Sequence, residues 1–161
     1  MTTTSARWAG LALCTLTLIT VTPVPSAAQA GSAQEQLWDA AKIGDTTAIS
    51  VALGRGARID SLDTRTNING RRALNWAVWF DQAETIRFLA KRGADINLAN
   101  VTGFTPLHHA AENGSLAAAR ALVALGADRK LRTAEELRAA DVARLREKLL
   151  VAALLDSLPD K

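Results

Sequence analysis

The sequence predicts an all-α solenoid in which one helix–turn–helix unit recurs along the chain, and three observations predict it. Gly70-Arg71-Arg72-Ala73-Leu74-Asn75-Trp76-Ala77-Val78 aligns with Gly103-Phe104-Thr105-Pro106-Leu107-His108-His109-Ala110-Ala111 at an offset of 33 residues. Gly56-Ala57-Arg58, Gly93-Ala94-Asp95 and Gly126-Ala127-Asp128 recur at offsets of 37 and 33. Ala40, Ala77, Ala110 and Ala143 follow at 37, 33 and 33, with Leu37, Leu74 and Leu107 in step. A fixed period of this length marks a repeat array. Such arrays present extended surfaces to other macromolecules.

Each unit follows from its own residues, in chain order. The first, about residues 34–66, keeps Leu37, Ala40-Ala41, Gly44-Asp45, Ile49 and Gly56-Ala57. Its spacing to the next unit is four residues longer, and the surplus falls between Asp60 and Gly70, in a polar run. Insertions collect in loops because stacked helices tolerate none. The second unit, about 67–99, keeps Gly70, Leu74, Ala77, Ile86, Leu89, Gly93-Ala94-Asp95 and Asn97.

The third unit, about 100–132, carries the fullest pattern. Pro106 sits at the first helical position, where its missing N–H is not needed. Leu107, Ala110 and Ala111 form a narrow apolar stripe that lets a short helix approach its neighbours closely. Gly114 follows Glu112-Asn113, where a left-handed cap suits glycine. Leu116, Ala119, Leu122 and Val123 then form the inward face of a second helix that Gly126 ends. Residues 133–158 hold register through Ala143, Leu149 and Leu155 and are expected to form a degenerate cap, since a terminal unit has one face without a neighbour.

On Gly103, Thr105-Pro106-Leu107-His108, Ala110-Ala111, Gly114, Leu122-Val123, Leu125 and Gly126-Ala127-Asp128, the chain resembles the ankyrin repeat family. The second unit departs from that pattern with Arg72-Ala73 for Thr-Pro, Asn75 for His and Asp81 for Gly. The resemblance implies stacked helical hairpins joined by short β-turn fingers, over a domain of residues 31–160. It also implies that Thr105, Pro106, Leu107, His108, Ala110, Ala111 and Gly114 are structural, with the His108 ring bonding backbone near the helix start. Family members grip partner proteins with the turn tips and the end of each first helix. Those positions here are Lys42 and Ile43, Trp79 and Phe80, Glu112 and Asn113, with Asn69, Arg71, Thr102 and Phe104 in the turns. Trp79, Phe80 and Phe104 are thereby expected to face solvent together beside Arg71. Trp, Phe and Arg are the residue types enriched at interface hot spots. Packing of Trp79 and Phe80 against the long 60–69 loop is the alternative. Trp76 reads as core, and Trp38 as a cover for the first unit.

Residues 1–30 read as a cleavable signal peptide. Arg7 gives a positive start, Leu11 to Val21 is an apolar core, Pro23 and Pro25 break it, and Ala28-Gln29-Ala30 is a small-x-small cleavage site. The apolar core is short of the roughly 20 residues a membrane span needs. Cleavage near Ala30 removes Cys14, the only cysteine, so the mature chain depends on packing rather than disulfides. The expected location is the periplasm, with secretion as the alternative, and the expected state a monomer.

Charge is nearly balanced: beyond Arg7 the chain carries 18 Lys and Arg against 16 Asp and Glu. The basic residues near the C-terminus alternate with Glu135, Glu136, Asp141 and Glu147, a solvated helix surface rather than a nucleic-acid footprint. His108 and His109 are the only histidines. Adjacent helix positions point about 100° apart and rarely grip one ion together. A metal-dependent enzyme would need both to converge with Glu112. The reading is therefore a non-enzymatic module that binds another protein, with no cofactor, metal or nucleic acid. An inhibitor of a toxin, or an accessory factor for a periplasmic enzyme, would use the same surface.

Overall fold

The computed structural model describes residues 32–63, 65 and 70–158. The signal peptide read at 1–30 and the turn residue Asn69 lie outside the described residues. The described residues form eight helices: α1 Ala33–Ile43, α2 Thr46–Gly54, α3 Ala73–Trp79, α4 Ala83–Lys91, α5 Pro106–Asn113, α6 Leu116–Ala124, α7 Ala139–Leu145 and α8 Leu149–Asp156. Among the described residues there is no strand, only isolated antiparallel bridges at Asp63–Arg71 and Arg132–Arg138.

Short helices of this kind are marginal alone, and packing makes them persist. Within each hairpin the two helices pack on each other, α1 on α2, α3 on α4, α5 on α6 and α7 on α8. The first helices α1, α3, α5 and α7 then stack in a row, and α4, α6 and α8 form a second row. The repeat is visible in the core as rungs. Leu37, Leu74 and Leu107 form one, Ile49, Ile86, Ala119 and Ala152 another, and Ala52, Leu89, Leu122 and Leu155 a third, all buried. Each buried leucine or isoleucine contributes roughly 1.5–3 kcal/mol. Ala40, Ala77, Ala110 and Ala143 keep the first helices close, because their small side chains leave room for the neighbouring backbone.

Turn chemistry recurs at the same period. Gly44, Asp81, Gly114 and Glu147 all have positive φ between the two helices of a hairpin. Gly114 thus takes the left-handed cap expected of it (φ 80°). Each finger closes on a backbone bond: Asp63 N–H to Arg71 O (2.7 Å), Asn100 N–H to Phe104 O (2.9 Å) and Thr133 N–H to Leu137 O (2.9 Å). The first finger spans four more residues than the others, so the insertion lies there, where it disturbs no helix. The segment after Thr133 repeats the whole plan, with left-handed backbone at Glu136 and Glu147 and the hairpin α7–α8.

His108 shows how units are joined. Its Nδ1 accepts from Thr105 N–H (3.2 Å) and Oγ1–H (2.8 Å), which leaves the proton on Nε2 to donate to Leu137 O (3.0 Å) in the next unit. Asn75 keeps only the local half of this arrangement, accepting from Arg72 N–H at 3.1 Å. Its side chain is too short to cross, and Arg72 crosses instead, donating to Asp60 O (3.0 Å) and Ala99 O (3.2 Å). Arg72 therefore supplies the tie between units that Asn75 does not reach, while the buried Asn75 Nδ2 has no hydrogen-bond partner among the described residues.

Candidate protein-interaction surface

The ends of α1 and α3 meet the first long finger at Trp76. Its indole is buried, and Nε1–H donates to Asp63 Oδ2 at 3.1 Å. Asp63 is fully buried and also accepts from Arg65 Nε (2.9 Å) and Nη2 (3.0 Å), while Lys42 Nζ lies 3.9 Å away. Burial pushes the Asp63 carboxyl up, but the hydrogen bonds from Arg65, its charge and the Trp76 bond outweigh that and hold the pKa below the ordinary carboxylate value. The buried charge is thereby matched, which is the condition for keeping it buried at all.

Around this anchor cations lie over indole faces. Lys42 Nζ is 4.4 Å from the Trp76 ring centre, and the Arg71 guanidinium lies 4.9 Å from Trp76 and 4.4 Å from Trp79. Phe80 stacks on Trp76 at 6.3 Å, with the planes 23° apart, and is 50% exposed. Arg65 covers Trp38 at 4.9 Å, and the Trp38 indole donates to Ser61 O. Each such contact is worth about 0.5–2 kcal/mol, more where water is excluded. Arg71 is thus held in place before any partner arrives.

The sequence-derived positions divide into three sets. Lys42, Arg71, Trp79 and Phe80 come together in the cation–aromatic patch, with Ile43 exposed at the neighbouring helix end. Thr102, Phe104 and Glu112 line a separate cleft beside it, with Arg71 common to both. Asn113 is structural: its Nδ2 donates to Trp79 O (2.7 Å) and Ser115 Oγ (2.9 Å), stitching two units. Phe104 departs from the expectation of a shared solvent face. It is partly buried against the core, 5.7 Å from the His108 ring and 5.4 Å from the His109 ring, because the finger folds it onto α5.

Three contributors escaped the sequence reading. Leu145 and Arg146 hold the same register in α7 that Glu112 and Asn113 hold in α5, and both are exposed. The 33-residue offset from Glu112 pointed to them, but only the structure shows that the last unit presents its helix end as the others do. Asp63 is the third: it stands 37 residues before Asn100 and 70 before Thr133, in step with the other markers, but three different residue types at that position gave no pattern to read.

Convergence of His108, His109 and Glu112 on a metal does not occur. His108 is held by Thr105 and Leu137, and only His109 faces Glu112, with Nδ1 3.7 Å from Oε2. Among the described residues no group of three His, Cys, Asp or Glu side chains is placed to hold a metal ion. No described helix is long and apolar enough to cross a membrane.

Stacked helical hairpins with closed turn fingers define a repeat-array protein, a class whose stacked units form extended binding surfaces. The family model for ankyrin repeats (three copies) matches residues 37–133, and the chain belongs to the ankyrin repeat family. It is 47% identical over 73 residues to protein phosphatase 1 regulatory subunit 27 of Mus musculus, covering 45% of this chain and 47% of the relative. It is 33% identical over 95 residues to the ankyrin repeat domain-containing protein SAT10 of Stachybotrys chartarum, covering 59% of this chain and 5% of the relative. It is 34% identical over 93 residues to a B-cell lymphoma 3 protein homolog of Mus musculus, covering 58% and 20%. The chain spans less than half the length of each of these curated relatives.

Proposed function

We propose that the protein is a non-enzymatic interaction module that acts in the periplasm after export and removal of residues 1–30. It binds a partner protein through the first-helix ends and fingers of its repeats, the concave side of an ankyrin array. The observation that carries this reading is the stack of Arg71 on Trp76 and Trp79 beside half-exposed Phe80. Buried Asp63 anchors the Trp76 indole, and Arg71 and Phe80 stack on that ring, so less conformational entropy is lost when a partner covers them. The likeness to a phosphatase regulatory subunit supports a partner that is itself an enzyme, modulated by binding.

A photo-crosslinking amino acid at Phe80 tests the surface, with one at Arg120 on α6 as the control. Crosslinking in a periplasmic extract should trap one discrete partner from position 80 and none from 120, and Trp79→Ala/Phe80→Ala should abolish capture of that partner while the helical circular dichroism is kept. Equal capture by the folded double variant would refute the surface. Cell fractionation and N-terminal sequencing of the mature chain test the location, and a cytoplasmic product beginning at Met1 would refute it.

A further inference from the structure

Beside the aromatic patch lies a cleft of about 370 Å3, bounded by Arg71, Thr102, Phe104, His109, Glu112 and Arg146 among others. Three observations say what chemistry it accepts. Arg71 makes no ion pair among the described residues, and its planar group lies over two indoles. Stacking uses the face of a guanidinium and leaves the N–H edge, the part that matches a carboxylate in a two-bond fork. The interior carboxylate, Glu112, is already matched: Oε1 accepts from Arg146 Nη2 at 3.1 Å. Of the lining carboxylates only Glu135, exposed at the rim, is then without an ion pair among the described residues. Finally, the His109 side chain is only 8% exposed, and neither ring nitrogen has a hydrogen-bond partner among the described residues; Glu112 Oε2, 3.7 Å from Nδ1, is a charged neighbour beyond bonding distance. Buried polar groups of this kind are normally satisfied, so an imidazole that lines the cleft with neither nitrogen bonded marks a place for another polar group.

We propose that this cleft receives an aspartate or glutamate side chain from the partner protein, gripped at the Arg71 guanidinium edge over the imidazole of His109. The inference rests on the interaction-module reading and adds the chemistry of the partner: an acidic segment, its side-chain stem lying against Phe104. Glu135 on the rim, which forms no ion pair among the described residues, opposes the incoming charge and sets how acidic the segment must be.

Fluorescein-labelled decaglutamate, titrated with the mature chain and followed by anisotropy, provides the test, with decaglutamine and decalysine as comparators. Decaglutamate should bind, and Arg71→Gln should weaken it at least about tenfold, the loss expected for one charge-assisted fork. Glu135→Gln should tighten it several-fold, and Arg120→Gln on the far face of α6 should leave it within about twofold. Should Arg71→Gln fail to fold, Arg71→Lys keeps the charge without the fork and should still weaken binding. Equal affinity in a folded Arg71 variant, equal binding of decaglutamine, or preference for decalysine would overturn the proposal. Self-association of the chain that Arg71→Gln abolishes would assign the cleft to a second copy and overturn it as well. Undiminished Phe80 crosslinking in Arg71→Gln would refute the cleft alone, whereas loss of all crosslinking in the native chain would refute the surface itself.

Discussion

Asp81 and Ala118 belong to successive units, yet Asp81 Oδ1 accepts the Ala118 N–H at 2.7 Å. Asp81 occupies the hairpin corner where other units have Gly44 or Gly114, and its φ of 55° is one that few side chains adopt. The strain is compensated because the carboxylate caps α6, whose own N-cap residue Ser115 makes no side-chain cap bond. A departure from the family glycine thus becomes a tie between units.

Replacing that residue separates its two roles. Asp81→Gly keeps the left-handed corner but loses the cap, at an expected cost of about 1 kcal/mol. Asp81→Ala loses the cap and adds backbone strain, for about 2 kcal/mol. Urea unfolding of the two variants checks the order, and a more stable alanine variant would refute the assignment.

His108 makes stability depend on pH. Burial is the main cause of its pKa lying below the ordinary histidine value, partly offset by the Leu137 bond, with neighbouring His109 lowering it further. Between the depressed folded value and the unfolded value near 6.5, the unfolded chain binds more protons, so stability rises with pH and is lost as pH falls below that unfolded value. Denaturation midpoints at about pH 7.5 and 5.5 should therefore differ in the native chain. His108→Asn, which imitates Asn75, should narrow that difference while lowering stability at pH 7.5 by about 2 kcal/mol through loss of the bond to Leu137.

Asp63 acts in the opposite direction. Its folded pKa is depressed, so its contribution is present above the unfolded value of about 3.9 and is lost as pH falls through the folded value. Asp63→Asn removes the charge that Arg65 and the Trp76 indole bond to, while Arg65 keeps Asp39 at 3.1 Å, and should cost about 2 kcal/mol at neutral pH. Acid titration by tryptophan fluorescence should show the native chain losing more stability below about pH 4 than the variant.

Glycine substitutions discriminate turn from packing. A Cβ on Gly103 would meet Ala134 N at 2.9 Å and Thr133 Cα at 3.0 Å, both backbone, at a φ of 77°. Gly93 has the same sign of φ but nothing within 4 Å. Gly103→Ala should cost at least about 3 kcal/mol and Gly93→Ala about 1, the excess measuring contact with the next finger. Equal melting temperatures for the two variants would contradict the finger packing.

The architecture was legible because a solenoid repeats its reasons. Leu37, Leu74 and Leu107 announce one rung, and the shift from 37 to 33 residues locates the insertion before any coordinates. Individual contacts were less legible. Phe104 reads as a turn tip, but whether a tip side chain lies outward or folds back onto α5 depends on the neighbouring finger. Asn113 reads as a partner-facing position, yet its amide is taken by Trp79 O and Ser115 Oγ. The hairpin after Arg132 is less legible in detail, because Glu136 and Glu147 stand where glycines would signal the corners.

Period, helix punctuation and the small-residue stripe belong to the amino-acid sequence itself, since they express local backbone preference and one-dimensional spacing. The tertiary structure alone decided that Asp63 lies under Trp76, that Arg71 spans Trp76 and Trp79, and that His109 has no hydrogen-bond partner among the described residues beside a cleft. Those outcomes depend on distances between units and on which donors burial leaves unmatched, quantities that spacing along a chain does not carry.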